Sequence, residues 1–132
     1  MAHRVLIVED SQAQSALIAS IVEQAGYKPI VYNDITTGIG QILTRETPDI
    51  VLLDLNLVTP QGVQMADGFQ VCRQIKRQCP NVPVIIVTSE GEDEACEWAF
   101  LQGADAFFQK PFSPTELTKL ILEQLSRKST DS

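Results

Sequence analysis

The run Ile50-Val51-Leu52-Leu53-Asp54-Leu55-Asn56-Leu57 constrains this chain more than any other stretch. Continuous Val, Ile and Leu without polar alternation is what a strand covered on both faces requires. Asp54 interrupts that run with a carboxylate. A charge left unpaired inside an apolar strand is expensive, so Asp54 is expected where the strand emerges, at its C-terminal end. In open α/β sheets that edge is where ligands bind.

Four further strand-like runs accompany it: Arg4 to Val8, Lys28 to Tyr32, Val82 to Val87 and Ala106 to Gln109. Helical patterns lie between them. Leu17, Ile18, Ile21, Val22 and Ala25 form the inner face of a first helix, which Asp10 or Ser11 can cap and Gly26 stops. Ile35, Ile39, Ile42 and Leu43 mark a second, weakened by Gly38 and Gly40. Val58 to Asp67 reads as a long polar connection. Gly68-Phe69 then opens a third helix with Cys72, Ile75 and Cys79 inward, closed by Pro80. Glu92-Asp93-Glu94 put negative charge into the first turn of a fourth, where the helix dipole favours it. Ser113-Pro114-Thr115-Glu116 combines a capping box with Pro at the first helical position. It starts a fifth helix with Leu117, Leu120, Ile121 and Leu125 as its inner stripe. Five strands alternating with five helices predict an α/β unit with a parallel sheet and right-handed crossovers. Residues 1–126 form the expected domain, and 127–132 a polar C-terminal tail.

The bulk properties narrow the function. With 132 residues, 44% hydrophobic and 20% charged, the chain is ordinary globular material for one domain. A net charge of −7 with no Lys/Arg cluster argues against direct nucleic-acid binding. The apolar runs are too short to span a bilayer, and Met1-Ala2-His3-Arg4 leads straight into a strand rather than a signal peptide. A cytoplasmic location is therefore expected. Cys72, Cys79 and Cys96 show no Cys-x-x-Cys spacing, which disfavours a disulfide framework or zinc site, and Cys72 and Cys79 read as small core residues. His3 is the single histidine and is expected at the surface.

Four of the strands end in polar residues: Glu9 and Asp10, Asp54, Thr88, and Lys110. Each has an ordinary explanation alone, as helix cap, turn residue or solvated lysine. Their shared position at strand ends is what sets them apart, because a parallel sheet brings those ends to one rim. Three carboxylates within a few Å repel one another unless a counter-charge is present. A hard divalent cation such as Mg²⁺ resolves this through oxygen ligands and would attract phosphate oxygens. Lys110 adds a second positive charge for a phosphoryl group, and the Thr88 hydroxyl can donate to it. The nucleophile left is a carboxylate, whose attack on phosphorus yields an acyl phosphate.

On these residues the sequence resembles a receiver domain of the two-component response regulators, of the single-domain chemotaxis type, over Arg4 to Leu125. The resemblance implies a doubly wound, flavodoxin-like sheet of strand order 2-1-3-4-5 with five helices. It implies Asp54 as phosphoacceptor, with Asp10 and Asp54 binding Mg²⁺, Glu9 helping through water and the Asn56 carbonyl as a further ligand. Thr88 and Phe107 match the family's switch pair, and Lys110 its lysine, with a cis Lys110–Pro111 bond. Asn56 and Glu90 occupy positions that influence loss of the phosphoryl group to water. The implied partners are a sensor histidine kinase or phosphotransfer protein, and a downstream protein target or fused output domain. Switching would reach the surface of the fourth helix, where Trp98 lies, together with the fifth strand and fifth helix. The final helix lacks the Arg-rich pattern of receivers that dimerise there, so a monomer or weak dimer is expected. One departure stands out: Leu57 to Ala66 replaces the family's short turn and is longer by roughly half a dozen residues, an extension that loop-closure entropy makes cheap.

Other classes fit less well. A haloacid-dehalogenase-type phosphatase would carry a second Asp two residues after the first, where this chain has Asn56. A flavodoxin-type cofactor binder would offer amides to phosphate after its first strand, where Glu9-Asp10 is repulsive. A receiver-shaped module without phosphorylation would have no use for Glu9, Asp10, Asp54, Thr88 and Lys110 together.

Overall fold

The computed structural model describes residues 3–35, 37–54, 56–58, 64–88, 103–109 and 113–130; for 56–58, 64–67, 88 and 128–130 the description is of the backbone. The elements are β1 (Arg4–Val8), α1 (Gln12–Gln24), β2 (Lys28–Tyr32), α2 (Ile39–Glu46), β3 (Ile50–Asp54), β4 (Asn56–Val58), β5 (Gln64–Asp67), α3 (Gly68–Gln78), β6 (Val84–Thr88), β7 (Ala106–Gln109) and α4 (Pro114–Thr130). Here α4 is the helix expected as the fifth. The segment expected as the fourth helix, with Glu90, Trp98 and Cys96, lies outside the described residues, which hold four helices.

Strands β2-β1-β3-β6-β7 form one five-stranded sheet in that order, every pair parallel. This is the predicted 2-1-3-4-5 arrangement, counting the strands of the main sheet. β3 sits at its centre and is buried along its whole length. Its alternate residues divide between two cores: Val51 and Leu53 join Leu6, Val8, Val84 and Ile86 under α2 and α3, while Ile50 and Leu52 join Val5, Ile7, Ile85 and Val87 under α1 and α4. The uninterrupted apolar run thus reflects a sheet covered on both faces, each buried aliphatic side chain contributing roughly 1.5–3 kcal/mol.

The local signals mostly act as read. The Ser11 side chain caps α1, accepting from the Gln14 N–H at 3.2 Å. Gly26 follows the helix with φ +92°, a left-handed conformation that any side chain would strain. Pro114 opens α4, and the Ser113 hydroxyl accepts from the Glu116 N–H at 3.5 Å. The backbone of α4 runs on to Thr130, carrying part of the polar segment after Ser126. His3 is exposed and meets Tyr27 edge-on.

Three expectations need correction. Leu17 does not face the core but is 55% exposed, because Ile18, Ile21 and Val22 already fill the strip of α1 that meets the sheet. Cys79 is half-buried against the core beneath α3 but falls one residue past the helix end. The polar connection after β3 is not irregular throughout: β4 and β5 pair antiparallel as a separate two-stranded ribbon, Asn56 opposite Asp67, with a register shift at Leu57/Val58. Thr59-Pro60 and Gln61-Gly62 split the strand signal in the sequence, which is why the ribbon does not register as one periodic run.

Candidate functional site

At the C-terminal edge of the main sheet, β1 and β3 are neighbours, Val8 opposite Leu53. Asp54 is therefore the last residue of the central strand, and Glu9 and Asp10 follow directly on the adjacent one. Strand pairing brings the three residues to one edge, and their carboxyl groups converge there: one oxygen from each of Glu9, Asp10 and Asp54 lies within 4.8 Å of the others. Asp10 is half-buried, Asp54 is 8% exposed and Glu9 only 2%. Below them Ile7, Val8, Ile18, Leu52 and Val87 close the floor, so the group rests on apolar core and is screened little by solvent from that side.

Three oxygens of hard, anionic character at this separation suit a cation that takes oxygen ligands. The donor set matches Mg²⁺, which takes one or two carboxylates and keeps waters, and contains no sulfur or imidazole to suit a softer metal. Among the described residues this is the cluster of acidic, histidine or cysteine side chains with metal-binding spacing.

The turn that carries Glu9 and Asp10 is held from the β2 side. The Glu9 N–H donates to the Tyr32 carbonyl at 3.1 Å. Asn33, the residue after β2, donates from Nδ2 to the Glu9 carbonyl at 2.8 Å and to the Ser15 hydroxyl at 2.9 Å. Neither Asn33 nor Ser15 stands out in the sequence. The available signal was modest: an Asn at a strand end on the ligand-binding edge, and a Ser on the otherwise apolar inner side of α1.

The other predicted residues are placed as follows. Thr88 ends β6, one residue past Val87, the register partner of Asp54. Phe107 lies on β7 opposite Ile86, half-buried and packed against the core on the α2–α3 side. Asn56 begins β4, two residues beyond Asp54. Lys110, which follows the register partner of Thr88 by one residue, lies outside the described residues, as do Glu90 and the Lys110–Pro111 bond.

Comparison with known proteins agrees with this arrangement. A family model described as "Response regulator receiver domain" matches residues 5–122. The phosphate regulon transcriptional regulatory protein PhoB of Escherichia coli is 34% identical over 129 residues, covering 96% of this chain and 53% of its own length. The nitrogen assimilation regulatory protein NtrX of Azorhizobium caulinodans is 36% identical over 128 residues, covering 95% of this chain and 27% of its own. The chain thus spans about half or less of the length of these relatives. Among solved structures, a CheY-like response regulator receiver domain protein from Methanospirillum hungatei superposes with a TM-score of 0.88 at 25% identity, both chains being covered completely.

Proposed function

This chain belongs to the response regulator receiver domain family of two-component signalling, and from that premise we propose that Asp54 is its phosphoacceptor. The single observation that carries this reading is the carboxylate at the end of the central strand, brought within 4.8 Å of Glu9 and Asp10. An Asp54 oxygen attacks phosphorus of a phosphohistidine on a sensor kinase or phosphotransfer protein, or of a small donor such as acetyl phosphate. The O–P bond forms as the donor's bond to phosphorus breaks, and the leaving group keeps the electron pair.

Glu9, Asp10, Asp54 and the Asn56 carbonyl would hold Mg²⁺, which when bound supplies the positive charge that offsets both the carboxylates and the phosphoryl oxygens. Lys110 binds a phosphoryl oxygen as a point charge. The Thr88 hydroxyl donates to another, and Phe107 turns inward behind it, so that the added charge biases a two-state element. The protein acts as a phosphoacceptor that assists its own phosphotransfer and dephosphorylation rather than as a turnover enzyme. Its output is a downstream protein target or a fused output domain, reached through the surface of the expected fourth helix, the last strand and the last helix. The −7 charge disfavours nucleic acid as a direct ligand of this domain. Among the described residues no helix is long and apolar enough to cross a membrane. A cytoplasmic location and a monomeric or weakly dimeric state belong to the same proposal.

Intact-mass measurement after incubation with acetyl phosphate and Mg²⁺ tests the assignment. Wild type is expected to gain one phosphoryl group, and Asp54→Asn none. An equal gain in both proteins would move the acceptor elsewhere.

A further inference from the structure

Two of the three clustered carboxylates, Glu9 and Asp10, sit on the turn between β1 and α1, whereas Asp54 belongs to the central strand and is fixed by neighbours on both sides. Carboxylates this close disfavour one another's charge, so the cluster keeps its geometry only where contacts hold the turn. The Glu9 N–H bond to the Tyr32 carbonyl at 3.1 Å helps to hold it. Asn33 is placed to do so. Its Nδ2 bonds reach the Glu9 carbonyl at 2.8 Å and the Ser15 hydroxyl at 2.9 Å, one on each side of the turn. The polarity of both bonds is determined. A carbonyl can only accept, so the amide must present its NH₂ group to Glu9. The Ser15 hydroxyl gives its own proton to the Gln12 carbonyl at 3.1 Å, which leaves its oxygen to accept from Asn33. Ser15 is 3% exposed, so water is a poor substitute partner for it.

We propose that Asn33, acting with Ser15, is a positioning residue for the acidic cluster: it clamps residues 9–15 against β2 and thereby sets the affinity of Glu9, Asp10 and Asp54 for Mg²⁺. The proposal rests on the reading of those carboxylates as the Mg²⁺ site. Mg²⁺ demands near-ideal ligand geometry, so a turn released by a few tenths of an ångström affects metal binding more than folding. Supporting residues that orient metal ligands are typically worth 10–100-fold in affinity, and one acting through the backbone belongs at the low end.

The test is calorimetric titration of the full chain with Mg²⁺, alongside urea unfolding without Mg²⁺. A control of the same bond pattern, more exposed to solvent, exists in the same molecule. Gln78 donates from its side-chain amide to the Gly40 carbonyl at 3.0 Å and the Thr44 hydroxyl at 3.3 Å, the same pair of bonds made between α3 and α2 instead of at the acidic edge. Asn33→Ala is expected to weaken Mg²⁺ binding about tenfold and Ser15→Ala roughly threefold, with Gln78→Ala leaving it unchanged. A merely structural Asn33 would lower the unfolding midpoint of Asn33→Ala and leave the Mg²⁺ affinity alone, which overturns the proposal. Should Asn33→Ala fail to fold, Ser15→Ala decides, and an unaltered affinity there also overturns it. Wild type that binds no Mg²⁺ would defeat the underlying assignment of the site instead, so the two failures are distinguishable.

Discussion

Cys72 and Cys79 show how far residue type alone determines behaviour. Cys72 lies on α3 and Cys79 one residue past its end, yet Cys72 is fully buried and Cys79 half-buried. Burial, partly opposed by the nearby Lys76 charge, pushes the Cys72 thiol up to about 11, from an ordinary 9.0. The folded protein therefore holds this proton after the unfolded chain has released its own. Stability from this group is fully present below pH 9 and is lost as the pH rises toward 11. Tyr32, whose hydroxyl donates to Glu46 Oε2 at 2.6 Å, holds its proton for the related reason that a carboxylate accepts it, and adds to the alkaline loss in the same direction. Urea midpoints measured across that range should fall with pH in wild type and fall less in Cys72→Ala. In the folded protein, iodoacetamide should modify Cys79 well before Cys72, as peptide mapping would show. Equal labelling would contradict the burial.

The element that most departs from expectation is the β4–β5 ribbon. Its two strands pair with each other and with no strand of the main sheet. A lone two-stranded hairpin is marginally stable in water, whereas β1 and β3 are buried on both faces. The ribbon should consequently open on its own, and hydrogen exchange should find the amides of 56–58 and 64–67 far less protected than those of Val5–Val8 and Ile50–Leu53. Replacing residues 58–65 with a short turn should shift the unfolding free energy by less than about 1 kcal/mol, since closing a somewhat longer loop costs little. A loss of several kcal/mol would mean that the ribbon packs into the domain. The opposite extreme is the contact at Gly103, where φ is +97° and an added Cβ would lie 3.1 Å from Lys76 Cγ. There Lys76 binds Asp105 at 2.9 Å and the Val82 carbonyl at 3.0 Å, tying α3 to the start of β6 and to the approach to β7.

For the molecule as a whole, a cation held by the three carboxylates gathered on one rim would link its binding to folding. Mg²⁺ that binds the assembled rim and not the dispersed unfolded chain stabilises by about 2.7 kcal/mol at a hundredfold excess over its Kd. Thermal midpoints should rise with Mg²⁺ and not with Na⁺ at matched ionic strength, and Asp10→Asn or Asp54→Asn should reduce the rise. A midpoint indifferent to Mg²⁺ in wild type would remove the metal from the site. Much of this is legible in the sequence. Short Val/Ile/Leu runs such as Ile50–Leu53 and Val5–Val8 favour strands covered on both faces, and a carboxylate ending such a run points to the edge where Asp54 lies. Local chemistry likewise announced Ser11, Gly26 and Pro114, since caps and stops act over three or four residues. What the sequence could not convey is how residues far apart in the chain meet. Asn33 reaches Glu9 and Ser15 across 24 and 18 residues, Leu17 turns outward only because its neighbours already fill the strip against the sheet, and the ribbon exists because Asn56 finds Asp67. Periodicity and capping are properties of neighbouring residues and can be read along the chain; a hydrogen bond between distant side chains depends on where the packed core has carried each of them.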